Sequence, residues 1–278
     1  MSKFTFRFMG ILAILAVFAS FLWPQNSLAE TPLPQGNYEE LRETASATVL
    51  EVISPLTMKL DNGDIVRLSG IHLPDYTPEA AGPFAVTALK ILKDMLEGES
   101  VKVYQTKKKD WGRTNQMGHT LAHIARMRDG AWAQGVLVGF GLAQVKTSQR
   151  NPEMAGQMYA LEGLARKEKD GIWAQDAKIL TPSDAEAHLN SFQIVEGVIA
   201  SAAFKKNRIY LNFGQNWRDD FTVSIAPEDK RRFNKAGINP LEWNGKTVRV
   251  RGWVEDYNGP YIEINHPEAL EVIEPKTP

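Results

Sequence analysis

Apolar and polar residues alternate in short runs along most of the chain. "ATVLEVISPLTMKLDNGDIVRLSGI" (residues 47–71) holds three strand-length runs. Asp61-Asn62-Gly63-Asp64 separates the second from the third, and Asn-Gly readily takes the positive φ of a tight hairpin turn. "PFAVTALKILKDMLEG" then changes to a helical period, with Val86, Leu89, Leu92, Met95 and Leu96 as its apolar positions. Pro83 opens it and Gly98 closes it. "SVKVYQ" and "HTLAHIARM" return to strand alternation. "WAQGVLVGFG" and "PEMAGQMYALEGLARKEKDGIWA" read as helices, with "LAQVKT" as an extended piece between them.

The second half repeats this order in different residues. "FQIVEGVIASAAF" reads as a long strand bent at Gly197, followed by "RIYLNF" and "DFTVSIA". "PEDKRRFNKAG" is a helix, "GKTVRVRGWVEDYNGPYIEI" a hairpin around Asn258-Gly259, and "EALEVI" a last strand. Three strands, a helix and two strands is the order of the small Greek-key barrel of the OB type. The expected fold is mainly β with helices: two tandem OB-fold-like barrels at 45–174 and 192–275. An exposed lead-in at 30–44 precedes them and a linker at 175–191 joins them.

The amino terminus follows another logic. Lys3 and Arg7 precede an uncharged apolar run from Met9 to Trp23, and Ser27-Leu28-Ala29 offers small residues for cleavage. Residues 1–29 are expected to be a signal peptide cleaved after Ala29, because the run is short for a span of about 20 residues. The chain is then exported, periplasmic or secreted, with no stable membrane span after cleavage; an uncleaved anchor is the alternative. Cysteine is absent, so no disulfide or thiolate chemistry is available. A net charge of -1 gives no overall field for a polyanion, though a local basic groove remains compatible with it.

From about Ala47 to Ala174 the chain resembles the thermonuclease (staphylococcal nuclease-like) family. "VLEVISPLTMKL", "VRLSGIHLPD", "GHTLAHI", "WAQGVLVGFGLAQV" and "LEGLARKEKDGIWA" carry the likeness, in family order. The resemblance makes the first barrel thermonuclease-like. It implies hydrolysis of DNA and RNA phosphodiesters with one Ca²⁺, a hard cation that wants oxygen ligands. Carried over residue by residue, the first metal aspartate of "DGDT" falls on Leu56. The second, in "GIDxPE", falls on His72, and the general-base glutamate on Asp75. Arg67 keeps the first phosphate arginine. The second falls on His119 in the gapless register, or on Arg113 of "DWGR" if residues are inserted.

Arg67, Asp75 and His119 are therefore the catalytic candidates, at degenerate positions. His72 and Asp75 are the metal candidates. Ca²⁺ is implied by the family, but its ligands are largely lost. His72, His119 and His123, the last two placed on one strand face, with Asp75 offer a transition metal in its place. The alternative is that these histidines only hydrogen-bond their neighbours. In the second half, Arg249, Arg251, Trp253 and Tyr257 suggest a face for single-stranded nucleic acid, where aromatics stack and cations meet phosphates. Basic and acidic residues balance from Asn190 onward, so some of these aromatics are expected to fill the barrel. The sequence leaves open a binding module, an active phosphodiesterase with an altered histidine-containing site, and a structural factor holding a cell-envelope protein.

Overall fold

The computed structural model describes residues 32–174, 179–216 and 218–273. The expected signal peptide at 1–29 lies outside them. Strand β1 (Leu41–Ser54) is long and does two jobs. Its first part pairs with β7 (Ser100–Thr106), and its second part with β2 (Thr57–Leu60). β3 (Ile65–Leu68) pairs antiparallel with β2 and parallel with β8 (Thr120–Arg126), and β8 returns to β7. The result is a closed barrel in the order β1-β2-β3-β8-β7. Alternation fills its interior: Val49, Val52, Met58, Leu60, Val66 and Ile124 are all buried.

β4 (Ile71–His72), β5 (Tyr76–Thr77), β6 (Ala80–Ala81) and α1 (Pro83–Leu96) lie between β3 and β7. The limits of α1 are those its Pro and Gly predict. Its buried stripe, however, is Ala85, Ala88, Leu92, Met95 and Leu96. Val86, expected inward, is 55 % exposed; the small alanines let the helix sit close to the barrel. After β8 come α2 (Ala133–Gly139), β9 (Gln144–Val145) and α3 (Ala155–Glu168).

The second half contains β10 (Ser191–Val198), β11 (Ser201–Lys205), β12 (Arg208–Asn212), β13 (Thr222–Ile225), α4 (Lys230–Lys235), β14 (Thr247–Asp256), β15 (Pro260–Glu263) and β16 (Leu270–Val272). Its sheet runs β10-β14-β15-β13-β12-β11, with β16 beside β14. β10 and β11 are consecutive pieces of one segment broken at Ile199–Ala200, so the sheet returns upon itself through the chain. Counted that way, the order is that of the first barrel. The one parallel pair is again third with fifth, here β13 with β15.

Two expectations change. The lead-in is not free: Leu41–Thr44 belong to β1, Tyr38 stacks on Tyr104 at 4.0 Å, and the Trp132 amide donates to the Pro34 carbonyl at 2.8 Å. Barrel closure needs those backbone groups as partners for β7. The later part of the linker is built into the second half. Leu180 bonds the backbone of Ile194 and Glu196, and Leu180 and Ala185 are buried in its core. The two halves also touch directly. Ile194 packs with Ala165, Ile172 and Trp173 in a small cluster of its own, and the chain from Leu33 onward is one compact unit.

Candidate functional site

The barrel register fixes where the candidate residues lie. Arg67 pairs with Thr57 on one side and Leu121 on the other, so these three side chains leave the same face. His119 precedes Leu121 by two residues and belongs to that face. Arg113 is engaged elsewhere: its Nε donates to the Thr106 carbonyl at 3.0 Å, at the end of β7. Both candidates adjoin the strand that pairs with Arg67: His119 lies two residues before Leu121, and the Arg113 carbonyl accepts from the Leu121 amide at 2.8 Å. Leu56, at the start of β2, is 5 % exposed and packs in the core, while its carbonyl accepts from the Leu68 amide at 2.8 Å.

Asp75 works on the backbone of α1. Its Oδ2 accepts from the amides of Phe84 (2.8 Å) and Ala85 (3.1 Å), which are donors left open in the first turn of a helix. The fit is close. A Cβ at Gly82 would lie 2.5 Å from that oxygen. Asp75 Oδ1 is buried and has no hydrogen-bond partner.

His72 lies on β4, which pairs with β9 so that His72 faces Gln144. Its ring meets Phe192 of the second barrel edge-on, with centroids 5.1 Å apart. Burial first, and then the charge of Lys146, push the imidazole down to about 4, so it is neutral at pH 7. Lys146 itself lies 4.7 Å over the Phe192 ring. Burial and then Arg67 hold its ammonium below the usual lysine range. Sequence reasoning missed Lys146 and Phe192, because only β9 and the meeting of the two barrels bring them to His72.

This donor set does not suit Ca²⁺. One position is an apolar core side chain, one is a neutral imidazole beside the Lys146 ammonium, and the single carboxylate spends one oxygen on α1. A hard dication wants six to eight oxygens. Among the described residues no group of three or more His, Asp or Glu side chains is arranged to hold a metal ion. His123 follows Leu121 by two residues and so shares the face of His119, but further into the barrel. His123 is buried, accepts from Trp132 Nε1 at 3.3 Å, and is pushed down to about 3 by burial.

The arginine face of β14 is not a surface. Arg251 is 4 % exposed and forms a two-pronged ion pair with the fully buried Glu162 of α3, at 3.0 and 2.6 Å. It also bonds Glu271 at 2.8 Å. Arg249 bonds Glu196 at 2.6 Å. Alternation had grouped the two arginines correctly, but that face is where the first barrel docks. Trp253 and Tyr257, by contrast, are exposed at 52 % and 62 %. Trp217, also among the aromatics of this half, lies outside the described residues.

A family model described as "Staphylococcal nuclease homologue" matches residues 65–175. No curated protein matches the chain. With the closed five-stranded barrel and the local phrases around Arg67, the match identifies a thermonuclease-like domain that includes residues 65–175.

Proposed function

We propose that this chain is an exported binding protein that uses the thermonuclease fold without the family's Ca²⁺-dependent hydrolysis. The observation that carries this reading is the pair of positions that the family resemblance gives to metal ligands: Leu56 is buried in the core, and His72 sits neutral against Phe192 beside Lys146, which in turn feels Arg67. Cations in that place repel a metal ion and attract an anion. Support for export is the sequence of residues 1–29: two cations, an uncharged apolar run and small residues at 27–29.

The test is hydrolysis of single-stranded DNA and RNA by the purified chain with Ca²⁺, Mg²⁺, Mn²⁺ or Zn²⁺ in turn. The expected result is no cleavage above the rate without metal. Millimolar Ca²⁺ is expected to leave the unfolding midpoint where it was, because a ligand of the folded state raises stability with its concentration. Metal-dependent cleavage that is lost in both His72→Ala and Asp75→Asn would sink the proposal. Asn is the right exchange at Asp75, since it keeps an acceptor for the α1 amides and removes the charge.

A further inference from the structure

The outer face of the second barrel carries a cleft of about 380 Å³ that the thermonuclease resemblance does not touch. Register builds it. On β12, Ile209 and Leu211 point into the core, so Tyr210 and Asn212 point out. Ala203 on β11 stands opposite Tyr210, and Thr222 on β13 opposite Asn212. Tyr261 on β15 stands opposite Thr222. Small residues thus form the floor and tyrosines the walls.

Two hairpin turns supply the rim. The turn between β11 and β12 brings Lys205 and Lys206. Lys206 and Asn207 hold φ of 49° and 64°, the left-handed pair of a tight two-residue turn, a place that favours Gly, Asn or Asp over Lys. The turn between β14 and β15 brings Tyr257 and Asn258. The rings of Tyr257 and Tyr261 meet edge-on at 5.4 Å. Tyr261 is the fixed member: it is buried, and its hydroxyl bonds Ser224, Arg208 and Glu263. Tyr257 is the exposed one.

We propose that this cleft binds a segment of single-stranded nucleic acid, with Tyr210 and Tyr257 stacking on bases and Lys205 and Lys206 meeting phosphates. The inference rests on the reading of the chain as a binding protein and names its ligand class. Three features favour a polynucleotide over a neutral sugar or a peptide. The lining holds two cations and no carboxylate. It holds three tyrosines, and base stacking on aromatics needs no sequence match. Asn212 and Asn258 offer paired donors and acceptors, which suit base edges. Of the nearby carboxylates, Glu263 pairs with Arg208 and Asp220 accepts from the Asn216 amide. The cleft lies where the strands and turns of an OB-type barrel take oligonucleotides or oligosaccharides.

The experiment is fluorescence anisotropy of a labelled 12-nucleotide single strand, as oligo-dT and as oligo-rU, titrated with the full chain at several salt concentrations. Tyr257→Ala is expected to weaken binding about tenfold, in line with the loss of one stacked base. The double change Lys205→Gln with Lys206→Gln is expected to weaken it further and to lower the salt slope by about 2, one for each phosphate no longer neutralised. Circular dichroism checks that both variants fold. Absence of binding at low salt overturns the inference. So does tighter capture of an acidic oligosaccharide of equal charge, competed off the same tyrosines. If Arg67→Ala abolishes binding while the cleft variants bind normally, the strand lies on the first barrel. The cleft is then wrong and the binding reading stands. Metal-dependent cleavage with normal cleft variants would defeat both.

Discussion

His72 carries the proposal at the scale of one residue. The resemblance gives its position to a metal-binding carboxylate. Here an imidazole is pressed against Phe192 and faced by Lys146, which Arg67 in turn repels. Keeping it neutral has a consequence for stability. Its ordinary value is 6.5, and the folded value is about 4. Between those limits the unfolded chain binds a proton that the folded chain refuses, so stability rises with pH across that window and is lost as pH falls through it. His123, at about 3, and His266, pushed to about 4 by burial and then Arg232, act in the same direction. The urea midpoint is therefore expected to fall between pH 7 and pH 4.5, and to fall less in His72→Gln, which cannot titrate. Equal losses in the two proteins would show that position 72 contributes nothing. The sequence singled out His72 at once, because Arg67, Gly70 and Pro74 frame it. It could not expose the cause of the shift, since Phe192 lies 120 positions away and Lys146 arrives only through the β4–β9 pairing.

At the level of elements, α3 and β14 explain each other. A helix from one barrel carries a fully buried glutamate, and a strand from the other carries a nearly buried arginine. Val145 closes the arrangement by donating its amide to Glu162 Oε1 at 2.9 Å. Alternation in "VRVRGWV" placed Arg249 and Arg251 on one face; it carried no information on what covers that face. A pair of arginines on an exposed strand and a pair on a docked strand look identical in one dimension. Their partners, Glu162 and Glu271, sit in segments with ordinary charge content. The energetic expectation is asymmetric. Removing one partner leaves a buried charge alone and costs about 3–5 kcal/mol, whereas replacing both by apolar residues of similar volume is often near neutral. Arg251→Met, which leaves the fully buried Glu162 without its cation, is thus expected to lower unfolding free energy by about that amount; Glu162→Leu costs less, because Arg251 keeps Glu271 at 2.8 Å, and the two changes together recover most of the loss. Urea unfolding of the four proteins of this cycle gives the answer. A double variant as weak as Arg251→Met would mean that the pair matters through geometry rather than charge.

For the whole molecule, the two barrels share one strand order, and that much was legible because periodicity, the Asn-Gly turns and Pro- or Gly-bounded helices are all local signals. How the barrels join was not, because every tie between them is long-range: His72 with Phe192, Thr147 with His266 at 2.9 Å, the Tyr159 hydroxyl with the Glu268 carbonyl, and Arg251 with Glu162. Apolar packing backs these polar ties. Ile194 of β10 turns away from its own core and is buried against Ala165, Ile172 and Trp173. An interface with its own apolar cluster and a buried ion pair resists relative motion of the halves, unlike the polar surfaces that usually separate domains. The two barrels are therefore expected to unfold together. Calorimetry of the intact chain should give one endotherm, with calorimetric and van't Hoff enthalpies equal, the signature of a single cooperative unit. Ile194→Asp puts an unpaired carboxylate into that cluster while leaving both barrel cores intact. It is expected to split the transition in two, with the enthalpies no longer matching. Two endotherms in the unaltered chain would mean that the barrels are independent modules, and that His72 is held against Phe192 too weakly to account for its shift.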